Sequence, residues 1–413
     1  MGSHSALLRR LFETALAAVT PQACMTDVVN NLPDAKIVVI GAGKAAASMA
    51  AEIEKHKSAE LSGLVIVPYG HTVACERIEV VEAAHPVPDS SGIVATRRIL
   101  EIVNGLSASD QVYCLLSGGG SSLMISPVDG ITLADKQTIT SALLKSGASI
   151  REINCVRKQL SAIKGGKLAA ACWPARINTV IISDVPGNDV SLIASGPTVH
   201  DATNLADALN VLQHYSIDLS ESVRSVLENS VIVNSDFAED ISIVATSDDA
   251  IAVAAKLAES EDYASLILGD LEGDARELAT DHAALAVSIA SGSGPASPPL
   301  IIFSGGETTV QITGNGRGGR NTEYALALAI ALKGHAKISA IACDTDGIDG
   351  SGDNAGCLIS PDTLKRASEL SLDPHAYQAN NDSYHFFAAL DELVTTGPTR
   401  TNVNDFRAIL IER

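Results

Sequence analysis

The chain has 413 residues, of which 46% are hydrophobic, and a formal net charge of −20 at pH 7. A chain of this length exceeds one ordinary hydrophobic core, so two domains are expected. The acidic charge argues against nucleic acid or an anionic membrane as a partner, and no apolar run approaches the length of a membrane span. The stretch MGSHSALLRR lacks a signal-peptide core and the seven cysteines form no C-x-x-C pair, so we expect a cytoplasmic protein with reduced thiols.

A helical pattern over residues 5–19 precedes a strand–turn–helix unit. The continuous apolar run at residues 36–40 is typical of a buried parallel strand, and it leads into a turn that contains Gly41, Gly43 and Lys44. The two glycines match part of the dinucleotide-binding fingerprint, but the next strand, residues 64–67, ends without the carboxylate that would hold a ribose. A lysine in this turn indicates a phosphate or carboxylate contact, and the alternative is a solvated loop lysine.

A second glycine turn follows the apolar strand at residues 112–116. It reads Ser117-Gly118-Gly119-Gly120-Ser121-Ser122. Three consecutive glycines carry an entropic cost that packing alone hardly explains. We therefore expect the backbone N–H groups and hydroxyls of this turn to bind an anion.

The stretch at residues 153–171 is predicted to be largely helical. Arg157, Ser161 and Lys164 then fall on one helix face. A solvated face is the favoured interpretation for most of these cations, and the alternative is that Arg157 and Lys164 close over a phosphate.

Asp184 follows an apolar strand predicted at residues 177–183. Ligand sites in open α/β sheets form at the carboxyl ends of strands, so Asp184 is a candidate general base or metal contact. The alternative is an Asx turn within a loop.

The second half begins with strands at residues 241–246 and 266–268 and a helix near residues 275–290. The most informative stretch follows the apolar run at residues 300–303 and reads SGGETTVQITGNGRGGRN, with six glycines and the cations Arg317 and Arg320. A helical pattern over residues 321–332 comes next. Glycine turns, a helix N-terminus and guanidinium groups all suit phosphate or carboxylate oxygens. The alternative is a pair of hairpin turns with solvated arginines, but the recurrence of glycine turns along the chain favours an anion site.

An acidic loop follows a strand predicted at residues 338–343. It reads DTDGIDGSGDN and begins with Asp344 and Asp346. The spacing does not match a calcium loop, so the pattern favours Mg²⁺ carried with phosphates. The alternative is an acidic turn that is capped by its own side chains.

Taken together, these stretches resemble the class of D-glycerate kinases that form 2-phosphoglycerate, whose C-terminal part is called MOFRL. The resemblance rests on nine motifs in order, with Arg400 as a departure where a small residue is expected: VVIGAGKAAASMA, HPVPDSSG, LLSGGGSSLM, RKQLSAIKGGKLA, ISDVPGND, SGPTV, FSGGETTVQITGNGRGGRNTEYAL, DTDGIDGSGDNAG and TGPTRTNVNDF. It implies two α/β/α domains with largely parallel, Rossmann-like sheets facing across a cleft. We place the N-terminal Rossmann-like domain at residues 1–237 and the MOFRL-type domain at residues 238–413.

The resemblance also implies ATP-dependent phosphorylation of D-glycerate to 2-phospho-D-glycerate with Mg²⁺, with D-glycerate and ATP as small-molecule partners and a homodimer left open. It makes Lys44 and an arginine of the 317–320 loop the essential cations. The predicted catalytic residues are Lys44, Asp184 and Arg320, and the predicted metal ligands are Asp344 and Asp346. The residues expected to bind the nucleotide come from the glycine turns: Gly41, Gly43, Ser117, Gly118, Gly119, Gly120, Ser121, Ser122, Gly305, Gly306, Glu307, Arg317, Gly318, Gly319 and Asn321.

Two other functions compete with this hypothesis. An NAD(P)H-dependent hydroxypyruvate reductase would rest on Gly41 and Gly43, and members of the family have often carried that name. The missing ribose carboxylate counts against it. A phosphosugar-binding module without enzyme activity would also use glycine turns, but it would have no need of the acidic loop.

Overall fold

The computed structural model describes residues 3–57, 60–228 and 237–413. The chain divides into two compact units, an N-terminal unit (Met25–Ser183 and Asn188–Val244) and a C-terminal unit (Met1–Cys24, Asp184–Gly187 and Ala245–Arg413). The first two helices, α1 (Ser3–Ala18) and α2 (Pro21–Cys24), thus group with the end of the chain, which a single boundary at residue 237 does not capture. In the part of the chain described, no helix combines the length and the apolar character needed to cross a membrane.

The N-terminal unit combines a six-stranded sheet with helices. The strands are β1 (Ile37–Ala42), β2 (Leu61–Pro68), β3 (Ile78–Ala83), β4 (Gln111–Leu116), β5 (Arg176–Ile182) and β6 (Asp240–Ala245). The helices are α3 (Thr26–Asn30), α4 (Ala46–His56), α5 (Ser90–Val103), α6 (Gly120–Leu123), α7 (Leu133–Ser146), α8 (Ile150–Gln159), α9 (Lys167–Cys172), α10 (Leu205–His214) and α11 (Glu221–Glu228), with 3₁₀ turns at Pro186–Asn188 and Ile193–Ser195.

The sheet has the strand order β3-β2-β1-β4-β5-β6, and the pairs from β3 to β5 are parallel. This is the order of a Rossmann-type sheet, whose topological switch point lies between β1 and β4. The residues of these two strands are almost all buried, as their continuous apolar runs predict. The prediction of a parallel α/β sheet is confirmed for this half, and both glycine turns of the first half follow the two strands at the switch point.

The predicted helix over residues 153–171 is interrupted. Helix α8 ends at Gln159 and α9 begins at Lys167, so Arg157, Ser161 and Lys164 do not share one helix face. Gly165 and Gly166 adopt left-handed conformations with φ of 61° and 78°, which breaks the helical hydrogen-bond ladder. The helical prediction is therefore wrong for the backbone between these side chains.

The C-terminal unit has a second six-stranded sheet. Its strands are β7 (Ala264–Asp270), β9 (Leu300–Gly305), β11 (Ile338–Asp344), β12 (Gly356–Ile359), β13 (Leu393–Val394) and β14 (Asp405–Ile411), and a separate two-residue ladder joins β8 (Gly273–Asp274) and β10 (Thr308–Thr309). The helices are α12 (Ser247–Ser260), α13 (Ala275–Ala290), α14 (Arg320–Leu332), α15 (Thr363–Glu369), α16 (Pro374–Ala379) and α17 (Ser383–Ala389).

The second sheet is not largely parallel, which corrects the prediction. Its order is β13-β12-β11-β14-β9-β7; strands β7 and β9 run parallel, whereas the other four neighbouring pairs are antiparallel. Every residue of β11 and β14 is nevertheless buried. A continuous apolar run reports burial on both faces, and it carries no information on strand direction when helices cover both faces.

Helix α1 belongs to the core of the C-terminal unit. It packs against α12 and β11, and Leu8, Leu11 and Phe12 are fully buried. The ring centroids of Phe12 and Phe406 lie 5.8 Å apart. The helical pattern at residues 5–19 predicted this helix, and its grouping with residues far along the chain follows from the apolar face that it buries.

Candidate active site

The first group of predicted site residues lies where β1 and β4 end. The N–H of Lys44 donates to the carbonyl of Gly118 at 2.9 Å, and the N–H of Ala45 donates to the Ser117 hydroxyl at 2.9 Å. The turns around Lys44 and Ser117 are therefore directly bonded, although they are more than seventy residues apart in sequence. The carboxyl ends of strands at a switch point are where open α/β sheets place their ligands.

Gly43 is required by this contact. Its φ is 139°, and a Cβ there would lie 2.2 Å from the Ser117 hydroxyl oxygen and 2.5 Å from the Ser117 carbonyl oxygen. Gly120 is likewise constrained, since a Cβ would lie 2.9 Å from the carbonyl of Ala42. Close packing of one turn on the other therefore explains part of the glycine content that the sequence pattern assigned to an anion site.

Ser121 is hydrogen-bonded to Arg157 and Lys164. The sequence favoured a solvated face for these cations, and their closing over a phosphate was the alternative. The Ser121 hydroxyl accepts hydrogen bonds from Nη2 of Arg157 at 2.9 Å and from Nζ of Lys164 at 2.8 Å. Burial lowers the pKa of Lys164 well below its ordinary value, and the nearby charges of Arg157 and Lys136 lower it further. The next hydroxyl, that of Ser122, is used within the turn, where it donates to the carbonyl of Gly119 at 3.1 Å.

In the C-terminal unit, Arg320 is the centre of a group of carboxylates. Its Nε donates to Asp405 at 2.8 Å, its Nη2 to Asp344 at 2.7 Å and its Nη1 to Glu307 at 3.0 Å. Burial acts to lower the pKa of Arg320, but the charges of these three carboxylates outweigh burial and hold the pKa above its ordinary value. The guanidinium is therefore charged and already neutralised by protein groups.

Asp184 belongs to the same unit and connects to this group through the segment before β14. Its Oδ2 accepts from the side-chain amide of Asn402 at 3.1 Å, and its carbonyl accepts from the side-chain amide of Asn404. Asn404 immediately precedes Asp405, the carboxylate that binds Arg320. Arg320, Asp344 and Glu307 thus share one hydrogen-bonded group, and Asp184 is linked to this group through the chain segment from Asn402 to Asp405.

The long glycine loop does not present free N–H groups in the way the sequence suggested. The N–H groups of Thr313 and Gly314 donate to Asn381 Oδ1 at 2.8 and 2.9 Å, and that of Arg317 donates to Asp382 Oδ1 at 2.9 Å. Side chains of the segment before α17 therefore accept the N–H groups that an anion would otherwise bind. The glycines of this loop therefore permit close packing of two segments of the protein.

The N-terminus of α14 is also capped by the protein. The carboxylate of Asp349 accepts hydrogen bonds from the N–H groups of Asn321 and Thr322, both at 2.9 Å, and from the Thr322 hydroxyl at 2.7 Å. Burial raises the pKa of Asp349, and these hydrogen bonds oppose the increase. An internal carboxylate thus takes the position at the helix end that was expected for a phosphate.

Arg317 points away from Arg320. Its guanidinium lies over the ring of Tyr384, 4.0 Å from the centroid, and its Nη2 is 3.6 Å from Asp353. The two arginines of the loop therefore have different partners, and within the described residues none of those that bind Arg320 contacts the Arg317 guanidinium. The remaining glycines of the loop pack closely: a Cβ on Gly305 would meet Ser247, on Gly306 Leu271, on Gly318 Ser383 and on Gly319 Asp349.

The acidic loop does not form a metal centre made of protein ligands alone. In residues 3–57, 60–228 and 237–413, no group of three or more His, Cys, Asp or Glu side chains is arranged to hold an ion. Asp344 binds Arg320 and also accepts from the N–H of Asp346 at 3.0 Å, and Asp346 accepts from the N–H of Ile348 at 2.8 Å. The donor chemistry still suits a hard cation that keeps water and phosphate ligands, because Mg²⁺ needs only one or two carboxylates from the protein.

Two family models and several known proteins match this chain. A family described as "Domain of unknown function (DUF4147)" matches residues 7–228, and the MOFRL family matches residues 300–405. A protein of Agrobacterium vitis, provisionally named a hydroxypyruvate reductase, is 51% identical over 98% of this chain and 94% of its own. The D-glycerate 2-kinase of Thermotoga maritima is 40% identical over 96% of this chain and 95% of its own.

The fold agrees with the sequence comparison. The crystal structure of a glycerate kinase from Thermotoga maritima superposes with a TM-score of 0.92 at 38% identity, and the match covers 99% of both chains. Sequence and fold therefore agree over nearly the full length. The chain belongs to the MOFRL-containing family that includes the D-glycerate 2-kinases.

Proposed function

We propose that this chain transfers a phosphoryl group from ATP to the C2 hydroxyl of D-glycerate and releases 2-phospho-D-glycerate. The observation that carries the proposal is the 40% identity to a D-glycerate 2-kinase over 96% of this chain and 95% of the relative. The Lys44 turn at the switch point of a Rossmann-type sheet supports it, because phosphoryl transfer depends on positioning and charge neutralisation more than on covalent chemistry.

We assign two roles from the contacts around each side chain. Lys44 lies in the turn after β1, whose backbone is bonded to Gly118, and we assign its cation to neutralising charge on the transferred phosphoryl group. Asp184, oriented by Asn402, accepts the proton of the C2 hydroxyl or positions that hydroxyl for attack.

In this proposal Arg320 mainly orients neighbouring carboxylates, and it is not the main ligand of the phosphates. Each of its three guanidinium nitrogens donates to a carboxylate, and two of its five N–H groups are not used in these bonds. We propose that Arg320 mainly holds Asp344, Asp405 and Glu307 in place, and that an anionic substrate would reach its remaining N–H groups beside Glu307, the most exposed of its partners.

We propose that Mg²⁺ binds together with the triphosphate and that Asp344 and Asp346 hold the ion or its waters. Both carboxylates are buried, and their oxygens are the ligand type that Mg²⁺ prefers. The ion would neutralise charge on the phosphates. Asp344 would then exchange part of its contact with Arg320 for the metal or its water shell.

Phosphorus NMR of the products formed from D-glycerate, ATP and MgCl₂ tests the proposal. We expect signals of ADP and 2-phosphoglycerate to appear at equal rates. A 3-phosphoglycerate signal would contradict the C2 assignment. The absence of any phosphoglycerate, with the protein folded, would overturn the kinase assignment.

The name of the Agrobacterium vitis relative favours one alternative, a reductase acting on hydroxypyruvate. Strand β2 ends at Pro68, and the following residues are Tyr69 and Gly70, so the carboxylate that binds the adenosine ribose of NAD is missing from this position. We expect no oxidation of NADH or NADPH when hydroxypyruvate is added, and the nicotinamide absorbance measures this directly. Consumption of the cofactor at a rate that depends on hydroxypyruvate would favour the reductase.

A further inference from the structure

Four cationic side chains lie together in the N-terminal unit, and we call Lys136, Arg157, Lys164 and Lys167 the basic cluster. They come from α7, from α8, from the break after α8 and from the start of α9. Lys136 is 5% exposed and Lys164 is 1% exposed, whereas Arg157 and Ser121 are partly exposed. The cluster is therefore buried at its base and open at Arg157.

Hydrogen bonds aim two of these cations at one serine. Nζ of Lys164 donates to both the carbonyl and the hydroxyl oxygen of Ser121 at 2.8 Å, and Nη2 of Arg157 donates to the same hydroxyl at 2.9 Å. Because this hydroxyl accepts from both cations, its own proton points to the Ser195 hydroxyl at 2.9 Å. The polar groups around Lys164 are thus oriented by hydrogen bonds to neutral atoms.

Negative charge is scarce at this site. Within the described residues, Asp201 pairs with Lys158 at 3.2 Å and its charge also acts on Lys167, whereas Lys164 and Arg157 have no carboxylate partner. The charged groups that act on Lys164 are Arg157 and Lys136, and both are cations. Burying cations without a carboxylate is costly, and a bound anion would relieve that cost.

The two residues that contact Nζ of Lys164 from the segment before Gly196 have an uncommon backbone conformation. Ala194 and Ser195 have φ of 50° and 63°, which non-glycine residues rarely adopt. The segment is fixed by bonds from Gly165 N–H to the Ser195 carbonyl at 3.2 Å and from Gly166 N–H to the Gly196 carbonyl at 2.8 Å. Strain of this kind persists where surrounding contacts impose it, and it concentrates at ligand sites.

We infer that Arg157 and Lys164, together with the Ser121 hydroxyl, bind an oxyanion of a substrate. The inference rests on the proposed function, which supplies two ligands with that chemistry, the carboxylate of D-glycerate and the phosphates of the nucleotide. Within the described chain Arg157 donates a single side-chain hydrogen bond, so most of its N–H groups are available to such an oxyanion. Lys164 fixes the serine through two hydrogen bonds, and a bound oxyanion would favour the protonated form of Lys164.

Calorimetric titration of the wild-type protein and of Arg157→Gln, Lys164→Met and Arg151→Gln tests this inference. Arg151 is the matched control, because it lies on the same helix and its side chain is 76% exposed in a pair with Asp189. D-glycerate and ADP are titrated separately. We expect Arg157→Gln and Lys164→Met to raise the Kd of one of the two ligands at least about tenfold. Arg151→Gln should leave both Kd values within about twofold of the wild type. The ligand that is weakened identifies the oxyanion.

A measurement on the unmutated protein covers the case in which the buried variants do not fold. Phenylglyoxal modifies arginine side chains, and mass spectrometry of peptides reports each site. We expect the ligand to slow modification of Arg157 at least about fivefold and to leave Arg151 unchanged. If Arg157 reacts at the same rate with D-glycerate, with ADP and with neither, the inference is wrong.

The two proposals fail separately. If the NMR assay shows no phosphoglycerate while a ligand still protects Arg157, the oxyanion site stands and the kinase assignment falls. If the wild-type protein forms 2-phosphoglycerate while Arg157→Gln and Lys164→Met retain normal KM values for both substrates, the kinase assignment stands and the oxyanion site falls.

Discussion

Oδ1 of Asp405 accepts a hydrogen bond from Nε of Arg320 at 2.8 Å, and Oδ2 of the same carboxylate accepts from Arg407. One carboxylate that is 1% exposed thus joins the first residue of α14 to the first residue of β14. The side-chain amide of Asn321 is the third donor to this carboxylate, and it donates to Oδ1 at 2.7 Å. The position of Arg320 therefore depends on a residue 85 positions later in the chain.

Replacing Asp405 should destabilise the protein strongly. Asp405→Asn leaves the buried guanidinium of Arg407 and the partly exposed guanidinium of Arg320 with less negative charge, and breaking a buried ion pair costs about 3–5 kcal/mol. Urea denaturation measures this free energy of unfolding. Glu261→Gln is the control, because its pair with Arg10 is exposed and should contribute less than about 1 kcal/mol. Equal losses in the two variants would show that the Asp405 network does not stabilise the fold.

Removing the Lys44 side chain should affect turnover and leave stability unchanged. The hydrogen bond from Lys44 to Gly118 comes from the backbone and persists in Lys44→Ala. We expect kcat to fall by at least about 100-fold, with a melting temperature close to that of the wild type. Lys55→Ala, at the exposed end of α4, should retain normal turnover. Wild-type activity in Lys44→Ala would remove Lys44 from the reaction.

Adding a methyl group at Gly43 should separate the two glycine turns. In Gly43→Ala the new Cβ would lie 2.2 Å from the Ser117 hydroxyl oxygen, and φ is 139°. We expect a loss of more than about 2 kcal/mol in unfolding free energy. In the control Gly70→Ala, φ is 79° and no atom lies within 4 Å of the new Cβ, so the free energy of unfolding should fall by only about 1 kcal/mol. A smaller loss at Gly43 than at Gly70 would contradict the described packing.

Lys136 should make stability rise with pH above neutrality. Burial, helped by the charges of Arg157 and Lys167, lowers the pKa of Lys136 from 10.5 to about 7. Between these values the unfolded chain binds a proton that the folded chain does not bind, so increasing pH favours the folded state. Between pH 7 and pH 9 the wild type should gain about 2 kcal/mol relative to Lys136→Met.

Urea denaturation at the two pH values measures this difference. Lys145→Met, an exposed position at the end of the same helix, should show no such change relative to the wild type. If the Lys136→Met and wild-type curves shift equally between pH 7 and pH 9, Lys136 does not titrate in this range.

Much of the fold was readable from local sequence. Continuous apolar runs predicted the buried strands β1, β4, β9 and β11, because strands covered on both faces carry no polar alternation. The same runs could not reveal that β11 and β14 are antiparallel, since strand direction depends on the connections rather than on burial. The expectation of a small residue at Arg400 also has a physical basis, because its φ is 67°.

The candidate site was less predictable than the fold. The glycine turns identified the ends of β1 and β4, but their sequence could not show which N–H groups the protein uses itself. Asp349 caps α14 from 28 residues away, and the Asn402 and Asn404 amides reach Asp184 across more than 200 residues. Such contacts depend on the tertiary structure, and no local pattern encodes them.

Helix α1 lies far before α12 and β11, which cover its apolar face, so it is synthesised well before either of them. Leu8, Leu11 and Phe12 therefore stay without their native neighbours while about 230 intervening residues emerge, since α12 starts at Ser247. The Thr401 hydroxyl, which donates to the Val19 carbonyl at 2.6 Å, arrives later still. The nascent chain must keep the apolar face of α1 from aggregating until α12 and the later strands have been synthesised.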